Sequence, residues 1–222
     1  MKYALVEGQR AEPSPGLRGR CQACDGHTVS KCGRFLVWHW SHLPGAECRD
    51  RWAEAETEWH RGWKNRFPNE WQEIACFDSA LTECHIADVK TSADLVIEFQ
   101  RSSIHPDEVA ARERFHKKMV WVIDGMRNDF DRFNFSNMRS CVDNDGLVDF
   151  QWFGKSKLFH RWHTTKPVFV DFGKEHGFWR ILRFDPVTKL GRAGIVDKDA
   201  FVELASSGTT DFSAAGGPAS HS

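Results

Sequence analysis

Residues 93–124 read ADLVIEFQRSSIHPDEVAARERFHKKMVWVID. Apolar and polar residues alternate over 94–101, which predicts a strand with Leu95, Ile97 and Phe99 on one face and Val96, Glu98 and Gln100 on the other. Pro106 opens a helix expected to run to about Met119, with Asp107 and Glu108 in the first turn, where the helix dipole favours acids. VWVID at 120–124 then carries the signal of a short buried strand. A helix between two β runs reads as a crossover unit and places the chain in the α/β class. Further strands are expected at 71–77, 84–90, 148–153, 167–172 and 178–184. Residues 1–20 read as a short strand and a Pro/Gly loop, and the small, polar run 206–222 as a disordered tail.

The 222 residues carry 30 basic and 31 acidic side chains, a formal charge of −1. That balance excludes a wholesale polyanion binder, which needs a large cationic excess. The charge is unevenly placed: residues 47–88 are acidic, whereas residues 151–192 are basic and add His160, His163 and His176. No apolar run is long enough to span a membrane, and the first residues lack the apolar core of a signal peptide. Seven cysteines are an odd number for a disulfide framework, so a reducing compartment, the cytoplasm, is expected.

Cys21 and Cys24 form a CxxC pair, followed after fourteen residues by His39 and His42 in HWSH. Thiolates and imidazoles at such spacing suit a structural zinc ion, with Cys32 and Cys48 as alternates for one histidine. The segment is too polar to fold by hydrophobic burial, which favours a metal over packed thiols.

In RWAEAETEWHRGWKNRF (51–67), read as part of a helix over 50–67, Trp52, Trp59, Trp63 and Phe67 form an apolar stripe. Glu54 and Glu58 point away from it into solvent. Glu56 points into it, with His60 and Lys64 stacked along the edge. A buried carboxylate needs a cation or a proton; a local Glu56–His60 pair is the simpler reading, but it is worth too little to place an acid inward, which favours a functional role. Asp88 lies in IADV, and a short turn over 90–94 brings it near Glu98 and Gln100; Asp94 competes for the role but more naturally caps that turn. Convergent carboxylates and a carboxamide suit Mg²⁺ or Mn²⁺. Arg101, Ser102, Ser103, Arg112, Arg114, Lys117 and Lys118 follow, where they can grip phosphate or simply face solvent.

CQAC, HWSH, ETEWHRGWK, IADV and VIEFQRSSI, in that order over about residues 20–124, resemble the competence protein CoiA-like family of the PD-(D/E)XK nuclease superfamily. The resemblance implies a restriction-endonuclease-like core, a central mixed sheet flanked by helices. Residues 1–49 would be a zinc-finger-like insertion, 50–125 the nuclease core, 126–205 a basic β-rich extension and 206–222 a tail. It implies Mg²⁺ or Mn²⁺ on Asp88, Glu98 and Glu56, and catalytic assistance from Gln100, His60 and Lys64. Cys21, Cys24, His39 and His42 match the presumed zinc ligands, and Arg101, Ser103, Arg112 and Lys117 would contact nucleic acid. Two departures stand out: Ala87 replaces the proline of the superfamily's name, and Gln100 stands where lysine is usual. Lys64 then becomes the candidate for the missing positive charge. The expected activity is hydrolysis of DNA phosphodiester bonds, with RNA also compatible. A zinc-stabilised nucleic-acid-binding module without cleavage is the alternative. A homodimer, or a subunit of a larger DNA-processing or defence complex, fits either reading.

Overall fold

The computed structural model describes residues 1–52, 54–78, 83–138, 142–152, 158 and 165–215. The chain is mixed α and β with few helices, and it divides into two compact units, Met1–Lys90 and Thr91–Ser222.

In the first unit, β1 (Ala4–Val6), β2 (Gln9–Ala11), β3 (Arg18–Arg20), β4 (His27–Lys31) and β5 (His39–His42) make an antiparallel sheet in the order β2-β1-β3-β4-β5. Gly19 lets β3 approach β1, since a Cβ there would lie 2.9 Å from the Leu5 carbonyl oxygen. Three-residue strands leave almost no periodicity to read, so only one of the three strands in 1–20 was expected. Next comes α1 (Glu58–Lys64), then the antiparallel pair β6 (Gln72–Asp78) and β7 (Glu83–Lys90). α1 is much shorter than the helix expected over 50–67. Thr57 caps it, its hydroxyl accepting from the His60 amide, so Trp52, Glu54 and Glu56 lie on the approach and share no helical stripe with Trp63 and Phe67. Trp52 instead meets the His85 ring edge-on at 5.1 Å.

In the second unit, β8 (Val96–Gln100), α2 (Pro106–Phe115) and β9 (Met119–Asp124) form the expected crossover, with β8 and β9 parallel and Glu98 opposite Trp121. α2 stops at Phe115 because His116 leaves the helical region (ψ 72°) before β9 begins. Asp94 adopts φ 61° in the turn before β8, as a turn-capping residue can. There follow α3 (Asp129–Met138), β10 (Leu147–Gln151), β11 (Val168–Asp171), α4 (Gly173–His176), β12 (Phe178–Phe184), β13 (Leu190–Ile195) and α5 (Lys198–Ser206). The strands order β10-β13-β12-β11-β9-β8, with β8, β9 and β11 parallel and the rest antiparallel. β8, β9 and β11 are buried on both faces, as parallel strands with covered faces must be.

The sequence reading missed β13 and α5. β13 holds Gly191 and Gly194, poor strand formers, and Gly191 is required because Phe150 packs onto its Cα, where a Cβ would lie 2.2 Å from the ring. α5 did carry a signal: Asp197 caps it, accepting from the amides of Asp199 and Ala200 at 2.9 Å. The expected tail is packed through residue 215. Phe212 is buried, stacked on Phe201 at 5.3 Å and edge-on to Phe169 at 5.0 Å. Residues 216–222 lie outside the described residues, as do His160, His163 and most of the basic run between them and residue 153. Among the described residues, no helix is long and apolar enough to cross a membrane.

Candidate metal centre and candidate active site

The CxxC turn between β3 and β4 sets Cys21 and Cys24 beside His42, at the end of β5, and Cys48 beyond it. Their four donor atoms lie within 4.8 Å of one another. Cys21 Sγ is 3.9 Å from Cys48 Sγ, and Cys24 Sγ is 3.3 Å from His42 Nε2. Two sulfurs bound tetrahedrally at about 2.3 Å stand roughly 3.8 Å apart, so this donor set fits zinc. The Ala23 and Gly26 amides donate to Cys21 Sγ and Cys24 Sγ, both at 3.4 Å, which favours thiolates. Gly26 leaves room there: a Cβ would sit 3.1 Å from Cys24 Sγ, a tight approach. Burial pushes the Cys21 thiol up and the Cys48 thiol to about 12, so a cation is needed to draw their protons off.

The expected ligand set therefore changes in one place: Cys48, the alternate, replaces His39. On a strand, residues three apart face opposite sides, so His39 and His42 of β5 cannot serve one ion. The His39 ring instead donates to the Val37 carbonyl at 2.8 Å. Cys32 lies outside the cluster.

The first unit also gathers acids around Lys64, whose side chain is 1% exposed. Its ammonium donates to Glu56 at 2.6 Å and to Glu73 at 2.8 Å, and it lies 3.7 Å from Asp88. Burial would lower the lysine's pKa, but Glu73, Asp88 and Glu56 together raise it, so Lys64 stays charged. Glu56 is buried and ion-paired, as its place in the sequence predicted, although not through a helical stripe. Its other oxygen accepts from Arg61 Nε at 2.9 Å. With both oxygens taken by cations, Glu56 suits holding Lys64 and does not fit as a divalent-metal ligand. His60 pairs with Glu54 at 3.2 Å, not with Glu56, so the simpler local pairing does not account for Glu56, and Glu54 is not a merely solvated acid. Burial would lower the His60 pKa, but the hydrogen bond it donates to Glu54 and the charges of Asp88 and Glu54 raise it.

Glu73 went unnoticed in the sequence. It sits in β6 at φ 48°, and its carboxylate accepts from the Lys2 and Tyr3 amides at 2.6 and 2.9 Å as well as from Lys64. Burial would raise its pKa, but Lys64, the N-terminal ammonium and the Lys2 amide outweigh that and hold it near about 2. Nothing local in QEIACF marks this residue, because all its partners are distant in sequence.

In the second unit, the polar face of β8 is buried too. Glu98 is 2% exposed, and Arg112 of α2 donates to it at 3.3 Å, to Gln100 at 3.5 Å, and to Glu108 at 2.5 Å. Arg112, expected to grip phosphate, is thus enclosed by its own crossover unit. The Gln100 amide donates to the Ser102 carbonyl and hydroxyl, both at 3.1 Å. Arg101 pairs with Asp124 at 3.0 Å, the Ser103 hydroxyl accepts from Arg127 at 3.4 Å, and the Lys117 side chain is exposed. Asp88, at 23% exposed, is much more open than Glu56 at 4%. Comparison of the chain with protein-family models, curated proteins and solved structures finds no match.

Proposed function

We propose that the chain is a divalent-metal-dependent nuclease of restriction-endonuclease-like fold that hydrolyses phosphodiester bonds of DNA. The observation that carries this reading is Lys64, a buried ammonium held beside the partly open Asp88 by two further acids, Glu56 and Glu73. A protein with no use for a charge there would lose little by replacing the group with apolar side chains.

The sequence resemblance names Asp88 and Glu98 as the hard oxygen donors that would hold Mg²⁺ or Mn²⁺. Such an ion supplies an activated water and charge neutralisation at phosphorus. The remaining work falls to the chain. Lys64 presents a fixed positive charge to the developing phosphorane, a role Gln100 cannot fill. Glu56 and Glu73 keep that ammonium charged and in place. Gln100, oriented by Ser102 and Arg112, positions water. His60, held by Glu54 and Thr57 one turn before Lys64 on α1, is the candidate to exchange a proton. Zinc on Cys21, Cys24, His42 and Cys48 would be structural, since four protein ligands leave no open position.

The test is incubation with linear, circular and single-stranded DNA and with RNA, in Mg²⁺, Mn²⁺ or Ca²⁺. Cleavage in Mg²⁺ or Mn²⁺ is expected, and it disappears in Asp88→Ala and Glu98→Ala. Variants that cut as fast as the parent overturn the site, and binding without cleavage in any metal favours the non-cleaving module.

A further inference from the structure

The loop between β4 and β5 exposes apolar bulk that the fold does not use. Phe35 is 98% exposed, Leu36 71% and Trp38 45%. Three such side chains in one short tip, left in water at about 25 cal/mol per Å², mark a surface that something covers. The tip is braced. Trp38 Nε1 donates to the Gly33 carbonyl at 3.1 Å, closing the loop on itself. At its base Trp40 is buried and donates to the Ala11 carbonyl at 2.9 Å. Tethering without burial suits a probe held out from a scaffold.

Charge selects the occupant. Residues 26–46 contain no acid, while Lys31 and Arg34 lead into the tip and both are exposed. Aromatic faces beside cations are the composition that holds a nucleic-acid strand, with bases on the rings and phosphates on the cations. Arg61 adds a connection: its guanidinium donates to the Trp38 carbonyl at 2.9 Å and to Glu56 at 2.9 Å. One side chain thus joins the tip to the acids around Lys64.

We propose that the β4–β5 tip stacks Phe35 and Trp38 on unpaired bases of a nucleic-acid strand, with Arg34 and Lys31 on its phosphates, and so presents that strand beside the Lys64 cluster. The proposal goes beyond cleavage, because stacking is measurable whether or not any bond is cut.

The measurement is fluorescence anisotropy of a labelled single-stranded DNA oligonucleotide with the full chain in Ca²⁺. Phe35→Ala and Trp38→Ala should each weaken binding by about tenfold, in line with base–aromatic stacking. Phe35 is solvent-facing, so the thermal melt of Phe35→Ala should match the parent. Phe35→Trp should bind as well as the parent and Phe35→Leu as poorly as Phe35→Ala, because stacking needs a π face and not only bulk. In a duplex carrying 2-aminopurine at an unpaired position, the parent should quench the probe and Phe35→Ala should not. Unchanged affinity in the alanine variants, equal affinity of Phe35→Leu and parent, or no binding of any oligonucleotide overturns the proposal. So does loss of self-association in Phe35→Ala with nucleic-acid affinity intact, since the tip would then be a protein contact.

Discussion

At the scale of residues, Lys64 and Glu73 depend on each other. Glu73 has its folded pKa depressed to about 2, against roughly 4.3 for an unfolded glutamate. A carboxyl with a depressed folded pKa contributes stability that is fully present above its unfolded value and is lost as pH falls from there toward about 2. Two units correspond to on the order of 3 kcal/mol. Glu73→Gln should therefore destabilise the protein near neutral pH, with the gap to the parent narrowing as urea melts are repeated from about pH 6 toward pH 3. A gap that stays constant across that range would refute the assignment. Lys64→Met removes the counter-charge of three acids and should cost roughly 3–5 kcal/mol at neutral pH, read from the same melts. Glu56 was legible in the sequence only in part: the need of a buried acid for a cation held, and Arg61 and Lys64 meet it, but the tryptophan stripe that suggested its burial does not form. Glu73 was not, because its partners at residues 2, 3 and 64 come together only through the fold.

At the scale of elements, legibility followed how local each signal is. The β8–α2–β9 crossover was readable because alternation, Pro106 at a helix start and a compact apolar run all fall within one stretch of chain. The small antiparallel sheet was not, since its short strands are defined by partners and not by pattern. The two-residue alternation of β5 did separate His39 from His42, a constraint the HxxH spacing obscured. Zinc content discriminates the two ligand sets. Cys48→Ser should lower bound zinc, measured by atomic emission, whereas His39→Ala should leave it at the parent level. Equal losses in both variants would restore the histidine pair. The packing of α5 against residues 212–215 makes a second expectation. Ending the chain after Ser206 uncovers Phe201 and Phe169, and should lower the melting temperature by several degrees.

At the scale of the whole molecule, the near-zero charge is not the sum of two opposed units. Met1–Lys90 carries thirteen acids against twelve bases, and Thr91–Ser222 carries eighteen of each. Each unit is internally balanced, and much of the balance is spent in contacts such as Glu98–Arg112 and Asp171–Lys198. Among the described residues several cations are held in such pairs, so nucleic-acid affinity should fall only gently with salt. A slope of log K against log salt shallower than about −3 is expected from anisotropy titrations, and a steep one would show a large phosphate footprint. The last ligand of the metal cluster has a wider meaning at this scale. Two residues after Cys48, Asp50 accepts from His85 at 2.9 Å and from the Ile86 amide at 3.2 Å, just before Asp88 on the same strand. Cys21 and Ala23 pack with Cys84 and Ile86, and Lys2 and Tyr3 supply the amides that hold Glu73. The finger is thus no detachable accessory. Severing the chain at residue 49 would strip the acids of their anchorage, so the two pieces have to fold together.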